Sequence, residues 1–139
     1  MTALARGGAR GRGAAGQSTV EAALAFPLLV ALALGLIQFA LFYHAQTVVA
    51  GAVQDGARVA AAADRGVDDG VAHAQALLRD GLGRSAADVE LVGIDGGDAV
   101  SIEARGRLRA VIPWIADASL PLAARAVVLK ERFRTPTVV

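Results

Sequence analysis

Residues 16–43 read GQSTVEAALAFPLLVALALGLIQFALFY. Glu21 is the only charged residue among them, and the next charge along the chain is Asp55. The apolar run from Ala22 to Tyr43, built as a helix at 1.5 Å per residue, is roughly 33 Å long. The hydrocarbon core of a bilayer is about 30 Å thick, so the run spans it with a little tilt. A soluble helix of this length displays a polar face. Here Gln38 alone interrupts the apolar surface. Burying such a helix in a water-soluble core needs a larger protein than 139 residues provide. The stretch therefore reads as a single transmembrane helix.

On its N-terminal side, residues 1–16 carry Arg6, Arg10 and Arg12 and no acid. Gly and Ala give the segment no periodicity, so it reads as a flexible basic leader. A short basic segment before an apolar span stays on the cytoplasmic side, which sends the C-terminal part outward. Cleaved secretory signals have shorter apolar regions, followed by a small-x-small site. Here the matches, such as Ala23-Leu24-Ala25, lie inside the run. A retained membrane anchor is the expectation.

Ser18-x-x-Glu21 permits two readings. It has the pattern of a capping box, which would satisfy free N–H groups at a helix start. An acid at a membrane boundary is also costly unless paired, and so is a candidate for a functional contact. Pro27 removes one helical hydrogen bond, which membrane helices tolerate. Ala31-x-x-x-Gly35 is a small-x-x-x-small pair that would let another helix approach closely.

On the C-terminal side, the helix is expected to leave the membrane and run to Ala63, with Val48, Ala52, Val59 and Ala63 as its apolar face. Gly51 and Gly56 each weaken it by about 1 kcal/mol relative to Ala. Asp64-Arg65-Gly66 stops it. Residues 67–80 predict a second, amphipathic helix with Val67, Val71, Ala74, Leu77 and Leu78 on one face, Asp68 and Asp69 at its start and Arg79 near its end. Gly81-Leu82-Gly83 ends it. From Val89 the period changes to two. Val89, Leu91 and Ile94 suggest a strand, and Asp95-Gly96-Gly97-Asp98 a tight hairpin turn. Val100, Ile102, Ala104, Gly106 and Leu108 then alternate with Ser101, Glu103, Arg105, Arg107 and Arg109, a half-buried strand with one polar face. Val111 to Ile115, with Pro113 and Trp114, reads as an apolar loop. Leu122 to Lys130 is a third strand, beginning after Pro121.

The fold class is thus α+β: a long N-terminal transmembrane helix continuing into a head with a short helix and a small antiparallel sheet of about three strands. The domain plan is a leader at 1–16, the long helix at 17–63, an extracytoplasmic head at 64–131 and a tail at 132–139.

Little in the chain suggests catalysis. Cysteine is absent, which removes disulfides and thiolate metal sites. His44 and His73 are far apart and have no companion ligands; His44 is expected at the membrane edge and His73 on a polar helix face. Asp95-x-x-Asp98 does not have the spacing of a calcium loop. No phosphate loop, dinucleotide fingerprint or nucleophile elbow occurs. No cofactor and no metal are expected, and the chain reads as a non-enzyme. A net charge of +1 gives no strong pull toward nucleic acid. Arg105, Arg107 and Arg109 form a basic row on one strand face, diluted by Glu103, either as a solvated face or as a contact for anionic lipid headgroups, cell-wall polymer or DNA.

Three groups of residues together carry a resemblance: Gly16-Gln17-x-x-Val20-Glu21-x-Ala23-Leu24-x-x-Pro27-Leu28-Leu29, then Gly35-Leu36-Ile37, then Asp55-Gly56-Ala57-Arg58-x-Ala60-Ala61. They resemble the TadE-like family of the tight-adherence (Flp) pilus system, whose members are pseudopilins. The resemblance implies a pilin-like head and cleavage by a prepilin peptidase between Gly16 and Gln17. It further implies that Glu21, fifth in the mature chain, pairs with the N-terminal amine of a neighbouring subunit. Pro27, Ala31 and Gly35 would lie on the helix that packs among subunits. The implied partners are the lipid bilayer, other pilin-like subunits and the pilus assembly platform. Processed members carry Phe or Tyr after the Glu, where this chain has Ala22. The other reading is an uncleaved single-span anchor presenting a small envelope-binding head, with no pilus role.

Overall fold

The computed structural model describes residues 12–110 and 118–130, with side chains from Thr19 onward. The element order is α1 (Arg12–Ala61), α2 (Val67–Leu82), a 3-10 helix (Gly83–Asp88), β1 (Val89–Asp95), β2 (Ala99–Arg109) and β3 (Ser119–Leu129). The chain is α+β, as its periodicities predict. It divides into two compact units, Met1–Ile37 and Gln38–Val139.

In the first unit, α1 begins at Arg12, earlier than expected. Ala14, Ala15 and Gln17 are good helix formers, and adding turns to an existing helix is far easier than nucleating one. Ser18 is consequently interior to the helix, and the Ser18-x-x-Glu21 pair does not cap it. The expectation of a flexible leader is corrected for residues 12–16; residues 1–11 lie outside the described residues. Pro27 sits inside α1.

The second unit holds the packed core. Ala45, Val49, Ala52, Val53, Ala57 and Ala60 of α1 are buried with Ala74 and Leu78 of α2, Val100, Ile102 and Ala104 of β2, and Leu122 of β3. The α1 positions recur at three and four residues, one stripe of a helix. This stripe replaces the expected one: Ala52 belongs to both, Val48 and Val59 are only half-buried, and Ala63 is exposed past the end of α1. The seam is made of small residues because α2 comes very close. A Cβ built on Gly56 would lie 2.7 Å from the Gly70 carbonyl oxygen and 2.8 Å from Ala74 Cβ. Gly56, Ala60, Gly70 and Ala74 thus form a crossing in which the two backbones nearly touch.

The predicted face of α2 is the observed one, with Ala74 and Leu78 buried and Val67, Val71 and Leu77 packed at its margin. The Asp69 carboxylate reaches back to accept the Gly66 N–H at 3.2 Å, satisfying one free donor at the helix start. At the other end Gly83 takes φ 57°, a left-handed value that favours glycine.

The sheet order is β1-β2-β3, antiparallel throughout. The β1–β2 turn is the predicted one. Gly97 has φ 82°, its N–H donates to Asp95 Oδ1 at 2.9 Å, and Gly96 N–H donates to the Ala99 carbonyl at 2.9 Å. Val100, Ile102, Ala104, Gly106 and Leu108 face inward on β2, as the alternation requires. Val89, Leu91 and Ile94 all lie in β1, as expected; Ile94 is 47% exposed and points outward, because Val89, Leu91 and Gly93 set the inward parity of the strand. One strand expectation is corrected. Pro121 lies within β3 rather than before it, opposite Arg107. An edge strand tolerates this, since a proline there sacrifices no central ladder bond. The predicted 111–115 loop falls outside the described residues, between Ala110 and Ala118, whose N–H and carbonyl join at 2.9 Å.

Candidate functional site

Two surfaces stand out, one in each unit. In the first, Thr19 to Ile37 presents almost its whole side-chain surface outward. Leu24, Phe26, Leu28, Leu29, Leu32 and Leu36 are each more than 60% exposed. A Cβ built at Gly35 meets nothing within 4 Å, so the Ala31-x-x-x-Gly35 notch is open. Glu21, Pro27 and Ala31 are exposed on the same helix. Exposing this much apolar surface to water is strongly unfavourable, at about 25 cal/mol per Å². Thr19–Ala61 is the one helix among the described residues that is long and apolar enough to cross a membrane, with a mean hydropathy of 2.4 in its best window. Gly16 and Gln17 lie in the helical backbone of α1.

The second surface is the outer face of the sheet. Register aligns Val92, Glu103 and Arg125 in one row, and Ile94, Ser101 and Val127 in the next. Glu103 lies between two arginines: Arg125 Nε at 3.2 Å from Oε1 and Arg105 Nη2 at 3.4 Å from Oε2. Its side chain is only 20% exposed, whereas those of Arg105 and Arg125 are mostly exposed. Arg125 Nε also donates to Ser101 Oγ at 3.3 Å. The basic row of β2 is therefore not uniform. Arg105 is tied to Glu103, while Arg107 and Arg109 continue toward the end of the strand with no ion-pair partner among the described residues. Beside the charges lies an apolar set, Val92, Ile94, Val127 and Leu129. Sequence reasoning missed this set because valine and isoleucine default to the buried face; the parity of β1 and β3, counted from the buried residues of β2, is the signal that finds it.

At the turn, Lys130 Nζ lies 2.7 Å from Asp95 Oδ2. The Lys130 ammonium, together with the Gly97 N–H, holds the Asp95 carboxyl below its ordinary value. Lys130 N–H also donates to the Asp98 carbonyl at 2.9 Å, fastening the end of β3 to the hairpin. Asp95 thus works as a turn-former, and the Asp95/Asp98 pair serves local structure. Gln46 Nε2 donates to the Ala123 carbonyl at 2.7 Å, occupying an edge-strand acceptor. Among the described residues no group of three His, Cys, Asp or Glu gathers as a metal site. His44 and His73 are both exposed.

These features define a class: a small α+β head carried by one long apolar helix suited to serve as a single membrane anchor. Residues 16–58 match the family model described as TadE-like protein. Over that stretch, about a third of the chain, the sequence is similar to the TadE-like family. The match covers most of α1 and stops before α2 and the sheet. No curated protein and no solved structure matches the chain.

Proposed function

We propose that this protein is a pseudopilin, a minor membrane subunit that acts in assembly of a Flp/tight-adherence pilus or a related secretion system. One observation carries the reading: the TadE-like match lies on a helix whose apolar surface is bare from Thr19 to Ile37 and bears one acid, Glu21. A bilayer covers such a surface before assembly, and neighbouring pilin helices cover it afterwards. Glu21 is the subunit-pairing residue, since a buried carboxylate in a helix bundle needs a cation, and a neighbour's N-terminal amine supplies one. Gly35 and Ala31 offer close approach and Pro27 a local bend. Residues 1–16 form the cytoplasmic leader, 17–63 the spanning and juxtamembrane helix, 64–131 the head outside and 132–139 its tail.

The test has two parts. Deletion of the gene in its host should abolish surface pili or the associated secretion, and complementation with Glu21→Gln should fail while the protein still reaches the membrane. Intact pili in the deletion strain refute the role. Intact mass of the membrane-recovered protein then reads the Gly16–Gln17 junction, and a chain starting at Gln17 marks prepilin-peptidase processing.

A second reading, the uncleaved anchor with an envelope-binding head, is favoured by one observation. α1 runs unbroken from Arg12 through Gly16 and Gln17, so the junction is helical rather than extended. A start at Met1 or Thr2 selects that reading.

A further inference from the structure

We propose that the head carries a phospholipid headgroup site at the point where α1 leaves the apolar run, and that it takes an anionic glycerol-headed lipid. A half-open cavity of about 340 Å³ is lined there by Leu41 and His44 of α1, Ser85 and Asp88 of the 3-10 helix, and Leu108 and Arg109 of β2, its remaining wall being apolar. This inference rests on the anchor reading, because that reading sets the level of the cavity. The uncharged apolar run ends at Tyr43, so Leu41 and His44 stand at the boundary between hydrocarbon and headgroups. The cavity has the two characters a phospholipid has at that depth: leucines for the upper acyl carbons and polar side chains for the head.

Charge picks the lipid class. Arg109, the last residue of β2, stands at the rim of this cavity, and no described carboxylate forms an ion pair with it. Glu103 is engaged farther up the strand with Arg105 and Arg125. The Arg109 guanidinium is suited to a phosphate, as a planar fork of donors. His44 offers a ring N–H in either protonation state. Asp88 does not favour a phosphate. It is instead an acceptor for the free hydroxyls of a glycerol headgroup, with the Ser85 hydroxyl beside it, and phosphatidylcholine has no such hydroxyls to donate.

The test uses the full chain purified in mild detergent and titrated with phosphatidylglycerol or phosphatidylcholine of identical acyl chains, with bound lipid counted by native mass spectrometry. The wild type should prefer phosphatidylglycerol by about fivefold, the worth of one arginine near an anionic surface. Arg109→Gln should lose most of that preference. Arg109→Lys should retain part of it, and Arg79→Gln, on the exposed side of α2, all of it. Equal uptake of the two lipids by the wild type, or a preference unchanged in Arg109→Gln, overturns the site. Alkaline carbonate extraction of host membranes checks the anchor separately. Release of the chain overturns both readings, whereas retention without lipid preference overturns the headgroup site alone.

Discussion

Replacing Gly70 with alanine should destabilise the head, although the same change at most helical glycines stabilises. Gly→Ala inside a helix normally gains about 1 kcal/mol through backbone entropy. At Gly70 the added methyl would fall against the Gly56 carbonyl oxygen, 2.5 Å from Ala60 Cβ and 3.1 Å from Ala60 N. None of these atoms can turn aside, since two are backbone and the third is an alanine methyl. The two helices must therefore separate, which loosens Ala57, Ala60 and Ala74 in the core. Overpacking of this kind costs about 1–3 kcal/mol, and rigid contacts on both sides put the site at the top of that range. Subtracting the propensity gain leaves a net loss of about 2 kcal/mol. Gly51 is the internal control: it lies in α1, and a Cβ there meets nothing within 4 Å. Gly51→Ala should stabilise by about 1 kcal/mol. For a domain of this size each kcal/mol moves the melting temperature by about 4–8 °C. Thermal melts of the full chain in detergent micelles, followed by circular dichroism, should move down for Gly70→Ala and up for Gly51→Ala. Shifts of the same sign would refute the backbone-to-backbone crossing of α1 and α2.

Three further outcomes follow from the head. Ile102→Ala, at a fully buried position, should cost about 2–5 kcal/mol, whereas Val127→Ala, 58% exposed on the opposite face, should stay within about 0.5 kcal/mol in the same melts. The folded-state pKa of Asp95 lies below its unfolded value, so its carboxylate contributes stability above the unfolded pKa, and this is lost as pH falls through the folded one. An NMR titration should therefore find the Asp95 carboxyl titrating below the ordinary aspartate range, moving up toward it in Lys130→Met. Glu103→Gln should raise the amide exchange of the β2–β3 ladder near Arg125 without unfolding the head, because it weakens two ion pairs whose arginines are largely exposed.

The outer sheet face shows how far a one-dimensional pattern reaches. The β2 alternation identifies its inward residues correctly because side chains alternate strictly along a strand. The sequence puts Ile94 in a strand but on neither face, since a short strand read alone does not reveal its parity. Only pairing with β2, Ile94 opposite Ser101, assigns it to the outer face. Likewise the three arginines of β2 look equivalent in the sequence, but Arg105 shares Glu103 with Arg125, a residue from the next strand. That partner is invisible until the register is known.

From its sequence alone this chain determined one apolar span, the α+β order of elements after it, the Gly-rich hairpin turn and the likeness of residues 16–58 to the TadE-like family. These depend on local covalent geometry: helix rise, strand alternation and the conformational freedom of glycine. Tertiary structure decided which face of α1 became the seam. The buried stripe runs through Ala45, Val49, Ala52, Val53, Ala57 and Ala60 instead of Val48 and Val59, and Gly56 and Gly70 bring the backbones of α1 and α2 together beside it. It also decided that an apolar set would stay outside on the sheet and that a cavity would form beside Leu41, His44 and Arg109. Such features arise only from which distant residues meet, and spacing along a chain does not encode that.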